Sequence, residues 1–418
     1  MKKYLFAVLT LFYAFNLFAQ NNQADEAQLI RIADGFIEAN VRCFVDNKTG
    51  EVFSSVKDLE PNRDLRINSM HSRFVYQTGV ENIAMIQLGE LLSEQKYTDY
   101  ALKNIEFVYA NKDYFKNSIT KENHWIHPFS RFYVINYLDD CGAMAAGLAD
   151  VYQATKNKDY LGYIYKAADF ISNKQFRLND GTLVRDNPVK YSLWADDLYM
   201  SVPLLARVGA ITGDQKYFDD AVKQVINFDK YLWDEQTNLY FHGWLSDEEE
   251  PTVAHWGRAN GWVMAAKVEL LKYLPEDYPK RNEIIKLLLK QIHGIARYQA
   301  QSGLWHNILD KTDSFEEVSC TAMFTYGIAY AVNEGILPER YISVAKLGWN
   351  GIINNVDQDY ESKEVRNICV GTGISTNLSY YYSRPVRSND TGAGAIISAG
   401  VEIVKYNRTH KWNSFSDN

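Results

Sequence analysis

Two series of helical patterns interleave along the chain and share one period. In the first, Glu94-Gln95-Lys96-Tyr97, Asn157-Lys158-Asp159-Tyr160, Asp214-Gln215-Lys216-Tyr217, Pro275-Glu276-Asp277-Tyr278 and Pro338-Glu339-Arg340-Tyr341 each end in tyrosine just before an amphipathic run, and those tyrosines lie 57 to 63 residues apart. The run from Tyr217 to Val225 alternates charged and apolar turns, the mark of a helix with one solvated face. The second series is rich in small residues and starts near Gln77, Asp140, Asp197, Asn260, Cys320 and Thr391, in steps of 57 to 71 residues. Small side chains let helices approach closely, which assigns this series to an inner layer.

Two sets with one period make a repeated helical hairpin. Six periods account for nearly all of the chain after residue 19, and no polar capping repeat marks the end of an open stack. The expectation is an all-α fold, an (α/α)6 barrel formed by residues 20–418 as one domain. Inner helices that share a direction bring six N-terminal ends to one mouth. Tyr76 and Gln77, Asp139 and Asp140, Asp196 and Asp197, His255, Trp256, Arg258 and Asn260, Thr321, and Asp390 then converge there. The positive ends of six helix dipoles favour an anionic ligand at that mouth.

Composition narrows the function. Met1-Lys2-Lys3 followed by an apolar run from Tyr4 to Phe18 reads as a secretory signal peptide ending at Ala19, so an exported protein, periplasmic or secreted, is expected. No later stretch is apolar enough to span a bilayer. A net charge of −8 argues against a nucleic-acid partner. Cys43, Cys141, Cys320 and Cys369 are far apart, match no metal spacing and read as buried free thiols. No Gly-rich phosphate loop, zinc spacing or Ser/His/Asp elbow is present, and nothing calls for a cofactor or a metal. Aromatic residues make up 14% of the chain, a surplus that suits either a carbohydrate cleft or a large helical core.

The most informative stretch is Trp194-Ala195-Asp196-Asp197-Leu198-Tyr199-Met200. Two adjacent carboxylates between aromatic walls are expected to have raised pKa values, which lets a carboxylic acid donate a proton near neutral pH. A helix N-cap is the bland alternative. Asp139 and Asp140 occupy the same register one repeat earlier, so carboxylates face each other across the mouth. His242 lies in the aromatic segment Leu239–Trp244. In Trp256-Gly257-Arg258-Ala259-Asn260-Gly261-Trp262 an arginine sits between two indoles, placed either to grip a carboxylate through two hydrogen bonds or to pair with a rim aspartate.

These stretches, with His242-Gly243-Trp244, resemble family 105 of the glycoside hydrolases, the unsaturated rhamnogalacturonyl hydrolases, and the related family 88 unsaturated glucuronyl hydrolases. The likeness runs from about Gln77 through Asn389-Asp390-Thr391-Gly392 and includes the six-hairpin barrel. It implies release of a Δ4,5-unsaturated uronic acid, galacturonyl-derived first and glucuronyl-derived as the alternative, from the non-reducing end of a lyase-generated oligosaccharide. The implied roles are Asp196 as acid/base, Asp140 as the second carboxylate with Asp139 its rival, and Arg258 on the uronate carboxylate. Trp256 and Trp262 would flank the ring and His242 would hydrogen-bond to it, with Tyr76, Trp194 and Tyr199 as further substrate contacts. Family members often carry Gly after the acid/base, where this chain has Asp197, so Asp196 and Asp197 both stand as candidates. Two alternatives stay open: an inverting glycosidase on a saturated substrate, and a carbohydrate-binding toroid without catalysis.

Overall fold

The structure is a computed structural model that describes residues 23–60, 63–119, 127–357, 364–388 and 392–410. The expected signal peptide, residues 1–19, and Asp390 lie outside the described residues.

Among the described residues, twelve helices form an inner and an outer layer. The inner helices are α2 (Tyr76–Leu92), α4 (Gly142–Thr155), α6 (Val202–Thr212), α8 (Gly257–Tyr273), α10 (Val318–Asn333) and α12 (Ala393–Thr409). Each packs on the next, and α12 packs back on α2, so the ring is closed. The outer helices are α1 (residues 23–39), α3 (Gln95–Phe115), α5 (Leu161–Asp169), α7 (Gln215–Leu232), α9 (Arg281–Ile295) and α11 (Ile342–Ile353). Five of them follow the tyrosine signatures. The predicted (α/α)6 barrel is the fold.

The sixth outer helix is α1, which carries no such signature and comes from the opposite end of the chain. It is tied in by polar contacts with α12 and α11. Arg408 pairs with Glu26 at 2.8 Å, Asn407 donates to Asp25 at 2.8 Å, and the Trp349 indole donates to Asp25 at 3.1 Å. The first described helix thus completes the hairpin of the last described one.

The two layers differ in burial as their sequences predict. The α7 helix buries Phe218, Ala221, Val222, Val225 and Phe228 and leaves Asp219 and Lys223 exposed. By contrast α10 is buried from Val318 to Val332. An inner helix is enclosed by two inner neighbours and its outer partners, so it has almost no wet face. Glycine sets how closely inner segments meet. A Cβ on Gly142 would run into the Met200 carbonyl oxygen, and one on Gly79 into the Ala143 carbonyl.

The lower half of the ring is filled by a buried ion network. Arg207 on α6 holds Asp150 of α4 through two bonds of 2.7 and 2.8 Å, and Glu269 of α8 at 2.6 Å. Tyr273 donates to Asp150 at 3.0 Å and Tyr326 donates to Glu269. These charges satisfy one another away from water and close the barrel, which leaves the opposite, N-terminal mouth as the open end.

Short strands join the loops of that mouth. Ser192–Trp194 runs antiparallel to Gly243–Leu245, with Trp194 opposite Gly243, and Gly243–Leu245 pairs in turn with Glu250–Pro251. The Ala195 N–H donates to the His242 carbonyl at 2.9 Å, and the His242 N–H donates to the Ala254 carbonyl at 2.9 Å. Backbone register therefore sets Asp196 beside His242.

Candidate active site

Asp196 and His242 form the centre. The Oδ2 atom of Asp196 is 3.0 Å from Nε2 of His242, whose Nδ1 is 3.0 Å from the Tyr381 hydroxyl. An ionised carboxylate only accepts, so Nε2 carries the hydrogen in that state. Tyr381 is itself held by the Ser375 N–H at 3.1 Å. Trp256 lies against the imidazole at 4.7 Å between ring centroids, and Trp194 meets it edge-on at 6.0 Å. His242 is fully buried, while the Asp196 side chain keeps 15% of its surface open.

The doubled acid splits into two environments. Asp197 is fully buried, and both its oxygens are taken by Arg185, at 2.9 and 2.6 Å. Arg185 reaches on to Asp139 at 3.1 Å and stacks over Trp194 at 4.2 Å. Burial outweighs Arg185 and lifts the Asp197 carboxyl to about 6. Burial raises Asp196 too, but the charge and hydrogen bond of His242, followed by Arg185 and Arg258, bring it below the usual aspartate value. The elevation expected of both acids thus falls on Asp197 alone: Asp196 keeps some contact with solvent and is lowered by His242, Arg185 and Arg258, whereas Asp197 is wholly buried and has Arg185 alone against burial and the charges of Asp139 and Asp196.

Asp139 and Asp140 also diverge. Asp140 is buried; its Oδ1 accepts from Arg131 at 2.8 Å and its Oδ2 from the N–H groups of Asn136 and Tyr137 at 2.9 and 3.2 Å. Asp139 is 34% exposed and faces Arg185. Burial raises its carboxyl, Arg185 opposes that, and the charges of Asp196 and Asp140 raise it further. Asp139 is the carboxylate within electrostatic reach of Asp196.

Arg258 is not free to grip a ligand through a two-pronged fork. Its two Nη atoms donate to the carbonyls of Cys369 and Val370, at 2.5 and 2.6 Å, and its guanidinium lies 4.6 Å over the Trp256 ring. Glu317 stands 4.0 Å away and accepts from the N–H groups of Cys320 and Cys369 at 2.6 and 2.8 Å. Arg258 therefore fixes the Cys369–Val370 segment to the mouth and lends Asp196 its charge. Trp256 is similarly committed, with its indole donating to Asn307 at 3.0 Å.

Trp262 and Tyr199 lie 4.7 Å apart with Tyr76 edge-on at 6.2 Å, and this trio floors the mouth above the ion network. Trp262 and Tyr199 are buried, whereas Tyr76 is partly open and lines a cleft of about 580 Å³ together with Asp139, Asp140 and Arg185.

No sequence signal marks Arg185, which sits in a polar loop and meets Asp197 and Asp139 only through the fold. Tyr381 stands in a tyrosine run that carries no chemical signal of its own, and only tertiary structure ties it to His242. All four cysteines are buried and free, as expected. Among the described residues no helix is long and apolar enough to cross a membrane, and no cluster of metal-ligating side chains occurs.

The fold is shared with solved structures. A possible member of the GH105 family from Salmonella enterica superposes with a TM-score of 0.73 at 23% identity, covering 93% of this chain and 95% of that one. The unsaturated glucuronyl hydrolase of Bacillus sp. GL1 gives 0.62 at 13% identity, covering 91% and 96%. These likenesses show a shared toroid, and the family match of the sequence makes the protein a carbohydrate-cleaving enzyme, a glycoside hydrolase. Residues 48–407 match Glycosyl Hydrolase Family 88, and the chain belongs to that family. It is 29% identical to an unsaturated rhamnogalacturonyl hydrolase of Bacillus subtilis over 61% of this chain and 74% of the relative. It is 32% identical to an unsaturated 3S-rhamnoglycuronyl hydrolase of an Alteromonas species over 51% of this chain, and so spans about half the length of that relative.

Proposed function

We propose that this enzyme releases a Δ4,5-unsaturated uronic acid from the non-reducing end of lyase-generated oligosaccharides in which rhamnose follows, the galacturonyl-derived sugar first. The carrying observation is that Asp196 is the one of the four rim aspartates that pairs with an imidazole rather than with a guanidinium. A guanidinium does not give up its proton, whereas an imidazole can, so of the four only Asp196 has a partner able to exchange one.

In the free enzyme Asp196 is held low. A bound uronate brings a second negative charge and removes water, and both effects raise the affinity of Asp196 for a proton. Asp196 then protonates C4 of the enol ether, leaving positive charge at C5 shared with the ring oxygen. Its carboxylate next accepts a proton from the water that adds at C5. The resulting hemiketal opens to a ketone and expels the rest of the chain. His242, set by Tyr381, keeps its hydrogen bond to Asp196 and tunes the proton affinity of that carboxylate. Asp139 is the second carboxylate beside the reacting sugar, Asp140 anchors Arg131 and its loop, and Met1–Ala19 serves as the export signal.

The test is loss of the ultraviolet band of the conjugated uronate on mixing enzyme with lyase-digested rhamnogalacturonan. Wild type is expected to bleach it and Asp196→Asn to leave it unchanged while still binding the oligosaccharide. Cleavage of a saturated substrate at equal rate would overturn the proposal.

A further inference from the structure

The strand Leu239–Tyr240 ends two residues before His242 and pairs on one edge, with Trp233–Asp234. The Phe241 N–H turns to that partner side, donating to the Leu232 carbonyl at 2.9 Å. Alternation along a strand sends the N–H and carbonyl of Tyr240 the other way, where no third strand follows among the described residues. Buried main-chain groups left unpaired are costly. The side chain of Asn260, in the first turn of α8, stands in for the missing strand. Its Oδ1 accepts from the Tyr240 N–H at 2.8 Å, and its Nδ2 donates to the Tyr240 carbonyl at 2.7 Å. Asn260 is fully buried, so its work lies beneath the mouth and not on a ligand.

The residue type follows from this geometry. A primary amide offers a donor and an acceptor side by side, as a peptide group does, whereas a carboxylate only accepts. Tyr240 is also gripped by its ring: its hydroxyl donates to Asp229 at 2.6 Å and accepts from Lys267 at 2.8 Å. Lys267 lies two turns beyond Asn260 on the same face of α8. Gln291 joins the two, accepting from Lys267 at 3.1 Å and donating to the Asn260 carbonyl at 2.8 Å. The main-chain groups of His242 are bonded to Ala254 and Ala195, which are themselves loop residues. Asn260 is thus the tie from this segment to an inner helix. We propose that Asn260 is a positioning residue for the reaction: it fixes Tyr240, and through it the imidazole of His242 against Asp196. This rests on the reading of Asp196 as the acid/base with His242 as its partner.

The experiment is a double-mutant cycle in kcat, followed by loss of ultraviolet absorbance on lyase-digested rhamnogalacturonan. Asn260→Ala should lower kcat by about tenfold or more, the effect of a small misplacement at a reacting centre, with KM within about twofold of wild type. It should also move the alkaline limb of kcat/KM upward, the direction expected on removal of the imidazole. Because both changes act on one contact, Asn260→Ala combined with His242→Gln should stay within about threefold of His242→Gln alone. Asn260→Asp keeps the shape and the acceptor, and carries the same test should the alanine variant fail to fold. Asn111→Ala is the control for lost stability, since it removes a buried amide on α3 that bonds the Val56 N–H and the Phe107 carbonyl; it should leave the limb in place. Wild-type kcat in the Asn260 variants, losses that multiply in the double variant, or an equal limb shift in Asn111→Ala overturns the assignment. Turnover by Asp196→Asn would instead defeat the underlying reading whatever Asn260 does.

Discussion

The Nε2 atom of His242 lies 3.0 Å from Oδ2 of Asp196, although 46 residues separate them in the chain. The pairing of Trp194 with Gly243, one residue beyond His242, fixes that distance through the backbone. Removal of the imidazole should therefore change the chemistry of Asp196 more than its position. His242→Gln takes away the positive partner that holds Asp196 low, so the Asp196 pKa rises and its protonated form persists to higher pH. The alkaline limb of kcat/KM is expected to move upward, with turnover reduced by roughly 10²-fold or more. A pH–rate profile whose limb stays in place would mean that another group supplies the proton.

Arg185 offers a test by stability. Asp197 already binds its proton at about 6 in the folded protein, above the ordinary value of 3.8. A raised carboxyl favours the fold below the unfolded pKa, and that advantage is lost as pH climbs through the folded one. Arg185→Gln removes the cation that opposes this rise and leaves a buried charge unpaired, at a cost of about 3–5 kcal/mol where Asp197 is ionised. Urea denaturation should find the variant penalised more at pH 8 than at pH 5. An equal penalty at both values would show that Asp197 does not titrate in this window.

The two acids before α4 should separate by phenotype. Asp140→Asn weakens a buried charge-assisted bond to Arg131 and is expected to lose about 1.5–3 kcal/mol of stability. Asp139→Asn alters a side chain that is one-third exposed, so it should lower kcat with little change in Tm. The reverse pattern would return the second-carboxylate role to Asp140.

Glycine supplies a matched pair. Gly142→Ala drives a methyl group into the Met200 carbonyl, on the segment that carries Asp196. Destabilisation of about 1–3 kcal/mol and a parallel fall in kcat are expected. Gly162, on α5, has open space around it, and Gly162→Ala should stabilise by about 0.4–1 kcal/mol without touching activity. Thermal melts and turnover on the two variants check both expectations.

The sequence by itself determined the helical toroid, because burial has a period. A helix enclosed on all sides needs small and apolar residues throughout, a helix with one wet face alternates, and repetition of that contrast implies six hairpins. It also determined which loops hold the chemistry, since the inner helices share a direction and their first turns must meet. The ring's closure by α1 was not legible, because Asp25 and Glu26 signal nothing until Asn407, Trp349 and Arg408 stand beside them. Tertiary structure alone decided which charge answers which. Adjacent aspartates are equivalent along a chain, yet Asp197 is shut in against Arg185 while Asp196 stands at the mouth against the buried His242. Arg258, placed between indoles by its sequence, is turned to two carbonyls more than a hundred residues away. A side chain's partner depends on distances across the ring, and those are set by packing between hairpins rather than by spacing within one.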